Sequence, residues 1–352
     1  MDQPRDQRVD VLCHFLPKRY EAARWERASR SGFAEHVLHG QTALAGLDHT
    51  AVHQALVDIE SRLRLIEEFE NYRQVLTIAG PPIEVVAPDD SDTVARIAND
   101  ELAELAAKYP LHFAGAVATL PMDRPDAAAR ELERAIRDLK LIGVQLYSNV
   151  RGKPLDLPEF RSLFQMMSEF DLPILLHPAR SKQHPDYLTE ASSQCLIWQV
   201  FGWPYESSAA MARIVFSGIL DAYPNLKIIV HHTGAMIPYF AGRIEAMYTL
   251  FQPLVQKERG TELRRPAIEY FRRFYADTST FTAASIECAC DFFGPDHVLL
   301  GTDAPFDAEG GRFSIRECIR AVEQAGLAAA DQRKIFSRNF EALFRRGEGV
   351  GG

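Results

Sequence analysis

The chain predicts a (β/α)8 barrel, and three observations carry that reading. Eight short β-rich runs alternate with longer segments of helical period. No GxGxxG fingerprint follows the first run and no GxxxxGKS/T loop occurs anywhere, so an open nucleotide-binding sheet lacks its motifs. Several runs also end on His or Asp, at the C-terminal rim where a barrel keeps its active site.

The runs follow in order. The first is 9–14 (VDVLCH). A long stretch, 16–73, separates it from the second, and the latter half of that stretch, 48–72, is helical in period. A barrel connection of that length serves as a lid or an interface. The second run, 74–79 (QVLTIA), precedes a helix at 91–109. The third, 113–118 (FAGAVA), precedes another at 126–139, and the Ser-Asp and Asp starts of these helices suit helix N-termini. The remaining runs are 143–147 (GVQLY), 173–177 (PILLH), 227–232 (KIIVHH), 274–277 (FYAD) and 297–303 (HVLLGTD). No Ser/Thr/Asn/Gly/Pro-rich linker, repeat or low-complexity tract divides them, so 1–352 reads as one barrel domain with a helical insertion after its first strand.

Composition narrows the function classes. At 352 residues, 47% hydrophobic and 25% charged, the chain can bury a large core, which excludes a disordered or disulfide-scaffold protein. Lys+Arg 39 against Asp+Glu 48 gives a net charge of −9, which disfavours nonspecific attraction to nucleic acid or anionic membrane. The start, MDQPRDQRVD, has no signal-peptide character and no apolar run reaches membrane-helix length, so a cytoplasmic location is expected. The five cysteines lack paired CxxC spacing and read as buried small hydrophobes.

The candidate chemistry lies at the strand ends: His14, His177, His232 and Asp303. One histidine ending a strand is an ordinary rim residue. Imidazoles and a carboxylate converging from four strands are a donor set for a borderline divalent cation such as zinc or manganese. His231 precedes His232, and strand alternation sends only one of them inward; periodicity alone does not choose between them. Asp10 is placed by alternation on the face of Leu12 and His14, deeper along the strand, as a further donor or as a hydrogen-bond acceptor behind the site.

Taken in order, VDVLCHFLP, ANDELAELAAKYPLHFAGAVATLPM, LPILLHP, IVFSGILDAYPNLKIIVHHTGAMIPYFAGRIE, FYADTS and LLGTDAPF resemble the amidohydrolase-related family of (β/α)8 metalloenzymes. The closer likeness is to its nonoxidative decarboxylase branch, which includes aminocarboxymuconate-semialdehyde and gamma-resorcylate decarboxylases. The resemblance implies His14, His177 and Asp303 as ligands of one zinc or manganese ion. It implies His232 acting on metal-bound water or substrate, and Asp303 as proton donor. It also implies a homodimer or dimer of dimers in which Arg243, within YFAGRIE, reaches the partner's site and binds a substrate carboxylate.

One departure stands out. The family opens DxHxH or ExH, whereas this chain has Leu12 at the first donor position. That leaves three alternatives: a site of His14, His177 and Asp303 completed by water, recruitment of Asp10 or His232, or a metal-free pocket. Near the exit of the fifth strand, His184, Trp198 and Trp203 lie in an aromatic-rich segment suited either to a flat conjugated substrate or to an interface. His49 and His53, at i,i+4 spacing, read first as exposed helix histidines, with polar contacts or a separate metal pair as the alternatives. The expected activity is nonoxidative decarboxylation of an aromatic or conjugated acid with an ortho hydroxyl. The alternatives are a metal-dependent hydrolase or hydratase of the same superfamily and a noncatalytic ligand-binding homologue.

Overall fold

In the computed structural model, which describes residues 7–30, 49–260 and 262–344, the β-rich runs become parallel strands. They are β1 (Arg8–Phe15), β2 (Tyr72–Ile78), β3 (Phe113–Ala116), β4 (Val144–Tyr147), β5 (Ile174–His177), β6 (Ile228–Val230) and β7 (Tyr275–Ala276). β1 to β3 pair in order, as do β4 to β7. An Ala118–Val144 bridge joins the two arcs on one side. On the other, 298–303 closes the ring: Leu299 N donates to Ala276 O, Val11 N to Leu300 O and Thr302 N to Leu12 O. This eighth run makes only isolated ladder bonds: Leu300 N donates to Ile335 O instead of to a neighbouring strand, and the end of the run turns into the left-handed region at Asp303 (φ 58°). The barrel is closed as the sequence predicts.

The helices cover the outside. Ser91–Lys108 and Pro125–Arg137 match the expected segments, each burying an apolar stripe that includes Val94, Ala98 and Leu102 in one and Ala128, Leu132 and Ala135 in the other. The insertion contributes helices Lys18–Arg30, His49–Val57 and Ile59–Glu67, while its residues 31–48 lie outside the described ones. His53 is exposed, and the side chain of His49 is also outside the described set. Among the described residues no helix is long and apolar enough to cross a membrane. All five cysteines are free; Cys13, Cys290 and Cys318 are buried as expected, whereas Cys195 is exposed and Cys288 half-buried.

Inside the barrel, Val9, Val11, Leu12, Val75, Val117, Leu175, Ile229 and Leu299 form a separate apolar plug, closed below by Leu343 and Phe344. Each such side chain contributes roughly 1.5–3 kcal/mol by leaving water. Gly301 keeps this interior uncrowded: a Cβ there would stand 2.8 Å from Asp277 Cβ and 3.1 Å from Leu12 Cβ. Two residues along the strands from Leu175 and Ile229 come His177 and His231, so period two sets the imidazoles directly above the plug.

β1 departs from simple alternation. Its register with β2 shifts between Asp10 and Cys13: Asp10 pairs with Gln74 and Cys13 with Leu76, so β1 spends one residue more than β2 over that span. Leu12 and His14 both remain inside, but Asp10 does not share their face. Its fully buried carboxylate accepts from Leu12 N (3.1 Å), Thr302 N (3.1 Å), Thr302 Oγ1 (2.6 Å) and Tyr72 Oη (2.5 Å). Tyr72 Oη in turn accepts from Gln74 Nε2 (3.0 Å), and Gln74 Oε1 accepts from Arg62 Nη1 (3.3 Å). Arg62, fully buried, also donates to Ala55 O (2.9 Å) and to the carbonyl of His14, which fastens the insertion to β1.

Two predictions follow from these buried polar groups. Tyr72→Phe removes one hydroxyl and leaves Gln74 and Asp10 each short of a partner, so urea unfolding should show a loss of about 1–3 kcal/mol, and Asp10→Ala a larger one. Glu84, almost fully buried near the rim with Oε1 unpartnered among the described residues, is pushed by burial from 4.5 up to about 8. The native state then holds a proton that the unfolded chain releases. Its stabilising contribution is complete below pH 4.5 and is lost as pH rises through about 8. Stability curves of Glu84→Gln and the wild type should therefore diverge over that window, in favour of the variant, by up to about 1.4 kcal/mol per pH unit. Parallel curves would refute the buried, proton-holding state.

Candidate active site

Three imidazoles meet at the mouth of the barrel. One ring nitrogen each from His14, His177 and His231 lies within 4.8 Å of the others, and all three side chains are buried. The rings of His14 and His231 are stacked at 5.7 Å, and His177 stands edge-on to both, at 5.2 and 4.6 Å. His14 Nδ1 faces Ile78 O (3.3 Å) and Thr77 Oγ1 (3.0 Å), and His177 Nδ1 faces Pro178 O (2.7 Å). A carbonyl only accepts, so each Nδ1 carries the proton and each Nε2 presents a lone pair. Burial, followed by the neighbouring His14, pushes His177 down to about 3, and burial drives His231 well below the ordinary imidazole range. Both are neutral at neutral pH, the form that binds metal.

Asp303 completes the group. Its Oδ1 lies 3.1 Å from His14 Nε2 and its Oδ2 4.0 Å from His232 Nε2. Burial pushes this carboxyl up, but the imidazoles around it, His14 first and then His232 and His177, pull the other way and hold it below the usual carboxylate range. Three buried imidazole nitrogens within 4.8 Å of one another, with the Asp303 carboxylate beside His14, fit a divalent ion.

Both histidines of the 231–232 pair reach this region. His231 continues the inward phase of β6. His232 starts a left-handed turn, with φ 59° at His232, 57° at Thr233 and 76° at Gly234, and the turn swings its ring back toward Asp303. Side chains rarely adopt that backbone region, and the turn has a dedicated support. Asp277 accepts from His232 N (3.2 Å), Thr233 N (2.6 Å), Ser279 N (3.2 Å) and Ser279 Oγ (2.8 Å). Burial raises Asp277 to about 7 against those bonds. Asp277 was legible by the same signal as the others, a polar residue ending an otherwise apolar run, although no role was assigned to it from the sequence.

One wall is aromatic. Trp203 packs 5.8 Å from His177 and 5.9 Å from His232, is fixed by its Nε1 donating to Arg180 O (2.9 Å), and carries Trp198 against it at 5.4 Å. Phe306 lies 5.6 Å from His14 and Tyr147 5.1 Å from His177. Beyond Tyr147 a buried polar group, Tyr20, Arg24 and Glu84, acts on it electrostatically. Arg24 is 1% exposed; its Nη2 lies 2.6 Å from Glu21 Oε2, and its Nε has no hydrogen-bond partner among the described residues. Nothing in the sequence pattern marks this cation, which sits on an ordinary-looking helix.

Three expected residues stand apart. Asp10 is turned to the strand junction by the β1 register shift, so its oxygens are taken up by Leu12, Thr302 and Tyr72 rather than offered to the imidazoles. His184 is exposed, with Nδ1 3.4 Å from Ser181 Oγ. Arg243 is exposed on helix Ala241–Leu250, in a groove of about 630 Å³ with Phe240, Met247 and Tyr248, and does not join the cluster of its own chain.

Comparisons with known proteins give the family. The amidohydrolase family model matches residues 9–346. Gamma-resorcylate decarboxylase of Polaromonas sp. (strain JS666 / ATCC BAA-500) is 30% identical over 308 residues, 85% of this chain and 91% of that protein. The 2-amino-3-carboxymuconate-6-semialdehyde decarboxylase of Dictyostelium discoideum is 27% identical over 310 residues, 86% and 82% of the two chains. Among solved structures, 5-carboxyvanillate decarboxylase from Novosphingobium aromaticivorans, complexed with manganese and 4-hydroxy-3-methoxy-5-nitrobenzoic acid, superposes with TM-score 0.83 at 26% identity, covering 97% of this chain and 96% of that one. With the barrel, the rim donors and these likenesses together, the chain belongs to the amidohydrolase family and stands with its nonoxidative decarboxylases, which are carbon–carbon lyases.

Proposed function

We propose that this protein is a metal-dependent decarboxylase of a hydroxylated aromatic carboxylic acid, with the carboxylate ortho to a hydroxyl. The observation that carries the reading is the buried imidazole cluster beside Asp303, facing an aromatic wall at the mouth of the barrel. Manganese, present in the 5-carboxyvanillate decarboxylase complex, is the first ion to test, and zinc the second. When bound by His14, His177 and Asp303, the ion would act as a Lewis acid toward the substrate's carboxylate and ortho oxygen.

The chain's own groups do the rest. Trp203, with Trp198 behind it, offers a flat face for stacking the ring and keeps water from the reacting carbon. Asp303 takes up one proton from solvent as the substrate enters, with His232 Nε2 beside it at 4.0 Å from Oδ2, and passes that proton on in each turnover. That proton goes to the ring carbon bearing the carboxylate. The carbon–carbon bond then breaks, its electron pair restores the aromatic ring, and carbon dioxide leaves.

A homodimer accompanies this reading. Tyr239 (82% exposed), Leu250, Phe251 and Leu254 are exposed apolar residues within 239–254, the stretch of chain that carries Arg243, and a two-fold contact there would bury them and carry Arg243 toward the partner's substrate carboxylate.

Purified protein loaded with manganese should release carbon dioxide from a member of a panel of dihydroxybenzoates, hydroxynaphthoates and methoxy-hydroxybenzoates. Hydrolysis of esters or amides without such release would select the hydrolase alternative. Asp303→Asn keeps the shape while removing charge and proton capacity, so kcat should fall by at least about 100-fold; near wild-type turnover would overturn the mechanism. Mixing Arg243→Ala with Asp303→Asn subunits should restore activity that both parents lack, because one site of each heterodimer is then intact. A sedimentation profile of monomers, or no recovery on mixing, would remove Arg243 from the site.

A further inference from the structure

Leu12 occupies the position of the expected first metal donor, yet its side chain belongs to the apolar plug. The mouth of the barrel nevertheless holds three inward imidazoles, with His231 supplied from the far side of the ring. His231 is completely buried, and neither of its ring nitrogens has a hydrogen-bond partner among the described residues. A buried polar ring without partners costs about 1–3 kcal/mol and calls for a ligand. Its Nδ1 lies 3.6 Å from Asp277 Oδ2, just outside hydrogen-bond distance. That carboxylate favours the proton on Nδ1, as Ile78 O does for His14 and Pro178 O for His177, which leaves Nε2 of each ring with its lone pair, and one ring nitrogen of each of the three lies within 4.8 Å of the others.

We propose that His231 is a metal ligand of this protein and replaces the donor absent at position 12. The ion is then held by His14, His177, His231 and Asp303, with Asp277 orienting His231 from behind. The donor has moved across the barrel, from β1 to the end of β6, while the number of donors is kept. This assignment rests on the metal-dependent reading of the site, and the test separates the two.

Metal-stripped full-length protein is titrated with Mn2+, followed by the paramagnetic resonance signal of the free ion, and with Co2+, followed by its visible spectrum. The variants are His231→Ala, His231→Asn and the double variant Leu12→His/His231→Ala. Asn keeps a polar group toward Asp277 and removes only the far nitrogen, so it serves where Ala fails to fold. The wild type should bind one ion, and both single variants should bind Mn2+ at least about tenfold more weakly with an altered Co2+ spectrum. The double variant should regain most of the affinity, since it returns a donor to β1. Wild-type affinity in His231→Asn would overturn the ligand assignment alone. A wild type that takes up neither ion would overturn the assignment together with the metal-dependent reading beneath it.

Discussion

The buried carboxylate of Asp10 is the point on which the barrel closes. Parallel strands β1 to β7 pair in sequence, and the eighth run closes the ring through single backbone bonds to its two neighbours. Asp10 reinforces that closure by accepting from the backbone and hydroxyl of Thr302 on one side and from Tyr72 on the other. An unpaired carboxylate could not remain there, since burial raises its pKa to about 6 even with four donors on it. The relay through Tyr72 and Gln74 ends on the buried cation Arg62, which also holds the backbone of His14. Asp303 immediately follows Thr302 in the chain. One network therefore fixes the relative position of two residues of the site, His14 and Asp303, by fixing the strands that carry them.

Above this network the electrostatics are arranged for an ion and a proton. Burial keeps His177 and His231 neutral, so their lone pairs are available, while His14 and its neighbours keep Asp303 charged despite burial. Left-handed backbone is found in the same place: His232, Thr233, Ala235 and Asp303 all have positive φ. The cost of the first of these turns is met locally by Asp277, which collects two of its amides. Asp277 is thus tied to both His232 and His231, through a backbone bond to one and a facing ring nitrogen in the other.

The alternation of eight β-rich runs with helices was legible because period two and period 3.6 are local properties of the chain. The strand-end residues His14, His177, His232 and Asp303 were legible because a barrel exposes its chemistry only at one rim. Asp10 was misplaced on the inner face because an extra residue in β1 breaks the alternation, and such a shift is set by pairing with β2 rather than by β1 itself. The choice between His231 and His232 was hidden for a related reason. It depends on a left-handed turn held by Asp277, 45 residues later, and the turn brings both rings to the site instead of one. Arg24 was invisible because its burial arises from packing between a connecting helix and the rim, which no local pattern records.

Leu12 and His231 are best understood together. A donor at position 12 would stand at the upper edge of the plug, beside Gly301, whose lack of a side chain leaves room between Leu12 and Asp277. Leucine there extends the apolar floor of the site and keeps polar groups and water from approaching from below. The coordination lost from that side is available from His231, which rises from Ile229 of the same floor and is backed by a carboxylate. A barrel tolerates such an exchange because its inward positions converge on one axis: a donor on β1 and a donor on β6 aim at the same point from opposite walls. What the exchange changes is the direction from which the ion is supported, and with it the share of the mouth left open between β1 and the aromatic wall, where Phe306 flanks His14 and Trp203 flanks His177.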